Sequence, residues 1–132
     1  MKTLWILLIL VAAAINLAPV LGAASPDRMR SLYGVALEDP NLLILMRHRA
    51  VLFGIVGGLL LGAAFHQPLR AVAYAAGFTS MLSFLLIAWL VGGYNPHLGR
   101  VVLVDLVGLA ALSGAGFVQL FSLRAAAVEP AL

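Results

Sequence analysis

The sequence predicts an all-α fold, an integral membrane four-helix bundle with a short interfacial helix between helices 1 and 2. Three observations carry that expectation. Of the 132 residues, 64% are hydrophobic and 10% charged, against the roughly 25% charge usual in soluble domains. Mean hydropathy is +1.10. The apolar residues also gather into four blocks, each near the roughly 20 residues that a helix needs to cross a bilayer. A water-soluble globule is excluded, and residues 1–132 read as one transmembrane domain with helices at about 4–23, 41–65, 69–91 and 101–123.

The first segment follows Met1-Lys2 and is interrupted only by Asn16 and Pro19. Its small residues Leu21-Gly22-Ala23-Ala24-Ser25 resemble a cleavage site, but the apolar run exceeds the roughly 15 residues of a signal h-region, so we read an uncleaved helix. Ser25-Pro26-Asp27 then supplies an N-cap, a proline at the first helical position and an acid in the first turn. Met29, Leu32 and Tyr33 share a face and Gly34 follows, which gives a short amphipathic helix at the interface. Asp39-Pro40 opens the second segment. Its uncharged part, 50–65, covers only about 24 Å at 1.5 Å per residue, so the helix must reach back to Asn41 and carry Arg47-His48-Arg49 with it. His66-Gln67-Pro68 turns into the third segment, whose polar residues are Thr79, Ser80 and Ser83. Gly92-Gly93-Tyr94-Asn95-Pro96-His97 is a turn by composition. The fourth segment follows Arg100, is uncharged except for Asp105, and leaves a disordered tail from Arg124.

The absence of cysteine removes disulfides, thiol catalysis and thiolate metal sites. Net charge is +3, which in a membrane chain is an orientation signal rather than a sign of nucleic acid. Lys2, Arg70 and Arg124 mark the side of the termini, and Arg28, Arg30 and Arg100 mark the other, a tie by count. We place the termini in the cytoplasm, treating the second group as held by structure.

The intramembrane polar inventory is lopsided. Asp105 and Arg47 fall within a turn of the same depth on helices entering from the same face, so Asp105 can pair with Arg47 or Arg49. An unpaired aspartate would cost on the order of 2.5–3.5 kcal/mol near the helix centre. Two roles stay open: an ion pair or snorkelling arginines that only fix helix register, or a polar mouth between segments 2, 3 and 4. Arg47, His48, Arg49, Asn95, His97, Arg100 and Asp105 would line that mouth, which suits an anionic headgroup, a carboxylate or a quinone-like carbonyl. No metal is expected, because His48 and His97 lack ligand spacing. A proton relay through Asp105 and His48 is allowed by residue type.

Packing faces are marked by small residues. Gly54, Gly58 and Gly62 form a GxxxGxxxG run, Ala73 and Gly77 are four apart, and Ala110 and Gly114 repeat that spacing, with Gly108 and Gly116 on the Asp105 face. Three such faces exceed the needs of one helix pair, which leaves an interface for a second copy or a partner membrane subunit. No Walker loop, Rossmann fingerprint, G-x-S-x-G elbow or zinc signature is present.

Leu32-Tyr33-Gly34, Asp39-Pro40-Asn41, the run from Leu45-Met46-Arg47-His48-Arg49 to Phe53-Gly54, Ser80-Met81-Leu82-Ser83-Phe84, Gly92-Gly93-Tyr94-Asn95 and Arg100-Val101-Val102-Leu103-Val104-Asp105 together resemble a family of small bacterial four-helix membrane proteins. More loosely they are similar to the DoxX-like group, in which an arginine opens the second helix ahead of glycines. The resemblance spans nearly the whole chain and implies an inner-membrane bundle with no established activity. Relatives are often labelled phosphopantetheine adenylyltransferase, but the chain has no H-x-G-H motif and four hydrophobic spans do not form that α/β fold, so the label is rejected. Some DoxX-type proteins are subunits of quinone-linked oxidoreductases, which makes quinone or partner-subunit binding the implied role. The expectation is therefore a multi-pass bacterial inner-membrane protein, without a cofactor and not itself an enzyme, that binds a lipid- or quinone-like amphiphile or a partner subunit. The alternative is a proton-coupled membrane enzyme or transporter using Asp105 and His48.

Overall fold

The computed structural model describes residues 2–23, 25–35 and 38–128. Among the described residues five α-helices follow one another: α1 (Lys2–Ala23), α2 (Pro26–Tyr33), α3 (Pro40–Phe65), α4 (Arg70–Val91) and α5 (Pro96–Val128), with a 3₁₀ turn, Gln67–Leu69, between α3 and α4. α1, α3, α4 and α5 are each long and apolar enough to cross a membrane. They form a bundle in which α1 neighbours α3 and α5, and α4 closes the ring between α3 and α5. α2 lies across one end and touches α1 and α5.

Three helix starts on that end use one device. Ser25, Asp39 and Asn95 each precede a proline, and each accepts an early backbone N–H: from Arg28 at 3.2 Å, Asn41 at 2.8 Å and Leu98 at 2.9 Å. A short polar side chain satisfies an orphan donor while the proline, which has no N–H, occupies the first turn. The third use moves the start of the last helix from the expected Val101 back to Pro96. At its other end the helix continues to Val128, so residues 124–128 are helical rather than a disordered tail. Residues 129–132 lie outside the described residues.

The main core joins Trp5, Ile9, Ala12 and Ala13 of α1 to Leu60, Ala63 and Ala64 of α3, Ala73 and Met81 of α4, and Leu112 and Ala115 of α5. Alanine dominates because close backbone approach, not apolar burial, gains most where the surroundings are also hydrocarbon. The outward faces are apolar too, with Leu90 66%, Leu103 63% and Leu120 59% exposed, a surface that suits acyl chains and not water. Trp89, 77% exposed near the end of α4, fits the headgroup level where aromatic belts form.

Of the expected glycine run, Gly54 faces Val20 and Gly62 faces Leu69, but Gly58 has nothing within 4 Å. Steps of four residues drift by about 40° each around a helix of 3.6 residues per turn. The contact face of α3 instead follows Ala50, Gly57, Leu60 and Ala64, and a Cβ on Gly57 would lie 2.6 Å from Leu17 Cγ. Ala73 and Gly77 are buried as a pair. Ala110 is exposed while Gly114 nears Leu8, and Gly108, packed on Met81, carries the closer contact.

Candidate functional site

The site is built from the top of the bundle downwards. α2 ends at Gly34, whose φ of 65° is left-handed and whose N–H bonds Arg30 O. That reversal brings the end of α2 over the start of α5. Asn95 joins the two helices, its Oδ1 capping α5 and its Nδ2 donating to Tyr33 O at 2.9 Å. His97 Nδ1 lies 3.2 Å from Ser31 O. Met29 and Tyr33 are the buried residues of a second, smaller core, packed against Leu42, Leu43, Met46, Leu98 and Val101. α2 is therefore a fixed roof.

Beneath it lies a chamber of about 260 Å³. Its walls are Ile15, Asn16, Ala18 and Pro19 from α1, Ser31, Leu32 and Tyr33 from α2, Arg49 and Phe53 from α3, and His97, Arg100, Val101, Val104 and Asp105 from α5. The chamber opens among α1, α2, α3 and α5, not between the second, third and fourth spans as expected. The early start of α5 contributes to this, because it brings His97 and Arg100 to the chamber wall beneath α2.

Arg49 and Asp105 face this chamber from equal depths. Each stands nine residues past the first residue of its helix, Pro40 and Pro96, or about 14 Å at 1.5 Å per residue. The Arg49 guanidinium sits among three rings, 5.6 Å from the Tyr33 centroid, 4.9 Å from Phe53 and 5.0 Å from Phe84. Ring quadrupoles stabilise a cation by as much as about 2 kcal/mol when water is scarce, so Arg49 is held in place with no carboxylate among the described residues in contact. Asp105 is buried, 7% exposed, and Arg49 acts on it electrostatically. Burial pushes the Tyr33 phenol above its ordinary value of 10, with the Arg49 charge opposing and the Asp105 charge adding.

Asn16, 2% exposed, forms the chamber floor. Its Nδ2 donates to Ala12 O at 3.0 Å and its Oδ1 accepts from Ser80 Oγ at 3.5 Å. A second diagonal link lies at the opposite end of the bundle, where Trp5 Nε1 donates to Tyr74 Oη at 3.0 Å and Arg70 sits 4.2 Å over the Trp5 ring.

Of the seven residues singled out in the sequence, Arg49, His97, Arg100 and Asp105 line the chamber, and Asn95 braces its roof. Arg47 and His48 are exposed and are not among the lining residues. Position on the helix decides this, since His48 and Arg47 point about 100° and 200° away from Arg49. Sequence reasoning missed Asn16, Ser31, Tyr33 and Phe53 as wall residues. Asn16, a lone amide in an apolar run, carried the clearest signal. Among the described residues no group of three or more His, Asp or Glu side chains is placed to hold a metal ion.

The chamber thus combines two arginines, one carboxylate, a histidine and aromatic walls at the polar end of an apolar bundle. Such a site can hold an anionic or strongly polar group. Comparison with known proteins finds no family model, no curated protein and no solved structure that matches the chain.

Proposed function

We propose that this chain is a bacterial inner-membrane protein, DoxX-like in its architecture, that binds a lipid- or quinone-like amphiphile through the chamber under α2, alone or as the subunit of a larger assembly. An anionic headgroup suits the chamber best. The observation that carries this reading is that Arg49, Arg100 and Asp105 line one chamber, with Arg49 and Asp105 at a depth in the bundle where a charge is retained for a purpose. Two cations against one carboxylate leave an excess of positive charge, and the aromatic rings around Arg49 orient it without neutralising it. We read the role as binding rather than catalysis. A proton relay through Asp105 and His48 draws no support from a geometry in which His48 stands outside the chamber.

The test is native mass spectrometry of protein extracted gently from its own membrane, with lipid analysis of what co-purifies. A stoichiometric anionic amphiphile on the natural chain, absent from Arg49→Ala, is the expected result. Bare protein in both cases contradicts the reading, and a co-purifying uncharged quinone would replace the anionic ligand with a neutral one.

A further inference from the structure

A second cavity, of about 780 Å³, runs between α3 and α4 on the outside of the bundle. Leu52, Phe53 and Val56 form one wall and Val72, Ala76 and Phe84 the other, with Ile87 at one end. Val72 and Ile87 are fifteen residues apart on α4, so the groove extends for about 22 Å along the helix. Its length and apolar lining match a hydrocarbon chain. Two of its hydroxyls are already spent, Ser83 Oγ on Ser80 O at 3.1 Å and Ser80 Oγ on Asn16 at 3.5 Å. Apart from Thr79 and Arg49, which also line the groove, a polar occupant would find little to bond with.

The groove is not independent of the chamber. Arg49 and Phe53 line both cavities, and the Asn16–Ser80 hydrogen bond joins the floor of one to the wall of the other. Inside a bilayer, an open apolar cleft is filled by an acyl chain or by another helix. The arginine shared at its polar end favours a chain that carries an anion at its head, since charge and apolar wall are then satisfied by one molecule.

We propose that the groove between α3 and α4 holds the hydrocarbon chain of the same anionic amphiphile whose headgroup occupies the chamber, with Arg49 and Phe53 at the junction between head and tail. This rests on the headgroup reading above and adds to it where the chain lies and what selects it. Chain length then contributes to affinity through contacts on α3 and α4, and a free anion binds only weakly.

The experiment compares dihexanoyl- with dioleoyl-phosphatidylglycerol as probes, titrated into detergent-solubilised protein, for the natural chain, Ala76→Phe and Arg49→Ala. Ala76→Phe narrows the groove and leaves the chamber intact. The expected result is a loss of about tenfold or more for the dioleoyl probe, with the dihexanoyl probe unaffected. Equal weakening of both probes, or of neither, overturns the tail assignment. Arg49→Ala without effect on the dihexanoyl probe instead overturns the headgroup reading beneath it. Because Ala76→Phe can fail to fold, a lipid with a photoreactive group at its chain end is crosslinked to the natural chain as well. Adducts confined to Val56, Val72 and Ala76 support the proposal. Adducts spread over all faces, or a second polypeptide crosslinked along the groove in native membranes, overturn it.

Discussion

Arg49 is held by three aromatic rings and faces Asp105 across a small chamber, with no described carboxylate in contact with its guanidinium. Replacing it by alanine removes the cation–π contacts and the positive charge that acts on Asp105, at a cost on the order of 2–3 kcal/mol. The expected outcome is a lower Tm in detergent for Arg49→Ala and an unchanged one for Arg47→Ala, whose side chain is exposed. Coupling between the two charges is read from a double-mutant cycle. Asp105→Asn should recover part of the loss in the Arg49→Ala background, and strictly additive losses would show that the charges do not interact. Tyr33 provides a pH test. Its phenol titrates above the ordinary value of 10 because the folded chain buries it, so the neutral form is favoured on folding. Its contribution to stability is complete below the ordinary tyrosine value and is lost as pH rises through the raised one. Tyr33→Phe should therefore flatten the decline in Tm between pH 9 and pH 11, and an unaltered decline would place its cause elsewhere.

At the scale of elements, neighbouring glycines on α3 have opposite roles. Gly57→Ala drives a Cβ to 2.6 Å from Leu17 Cγ and 3.1 Å from Ala13 O, so α1 and α3 must separate and the protein loses stability. Gly58→Ala meets open space and gains helix propensity, up to about 1 kcal/mol. Thermal melts of the two variants should move in opposite directions, and matching shifts would contradict the packing described. Gly34 is a second case. Its φ of 65° is costly for any side chain, and a Cβ there would stand 2.8 Å from the His97 ring. Gly34→Ala should loosen the roof, measured as faster tryptic cleavage at Arg28 and Arg30, which are exposed on α2. The helix starts also show how much of these elements was legible. Ser25-Pro26 and Asp39-Pro40 were readable as caps, whereas Asn95-Pro96 was masked by the adjacent glycines and read as a turn. That one misreading shifted the start of α5 and, with it, the wall of the site.

The whole molecule is most legible at its coarsest level. Hydropathy alone specifies four spans, because backbone groups in hydrocarbon must be satisfied within each helix. The site was legible only in part. Composition brought Arg49, His97, Arg100 and Asp105 to one face, but the choice of Arg49 over Arg47 depends on rotation of α3 about its axis, which the nearly uniform apolar surface of that helix does not encode. Contributions from α1 depend on helix order around the ring, and no periodicity states that. Topology is open to direct measurement because the natural chain has no cysteine. If the termini are cytoplasmic, single cysteines at Arg28 and Tyr94 should react with an impermeant maleimide from outside the membrane, and those at Gln67 and Arg124 only after permeabilisation. The reverse pattern would invert the orientation. The account's central claim is that the chamber under α2, and not the exposed basic start of α3, holds the ligand. Native mass spectrometry of Arg49→Ala and Arg47→Ala, extracted side by side from the same membranes, tests it most directly: bound amphiphile should vanish from the first and persist in the second, whereas equal retention in both would contradict the account.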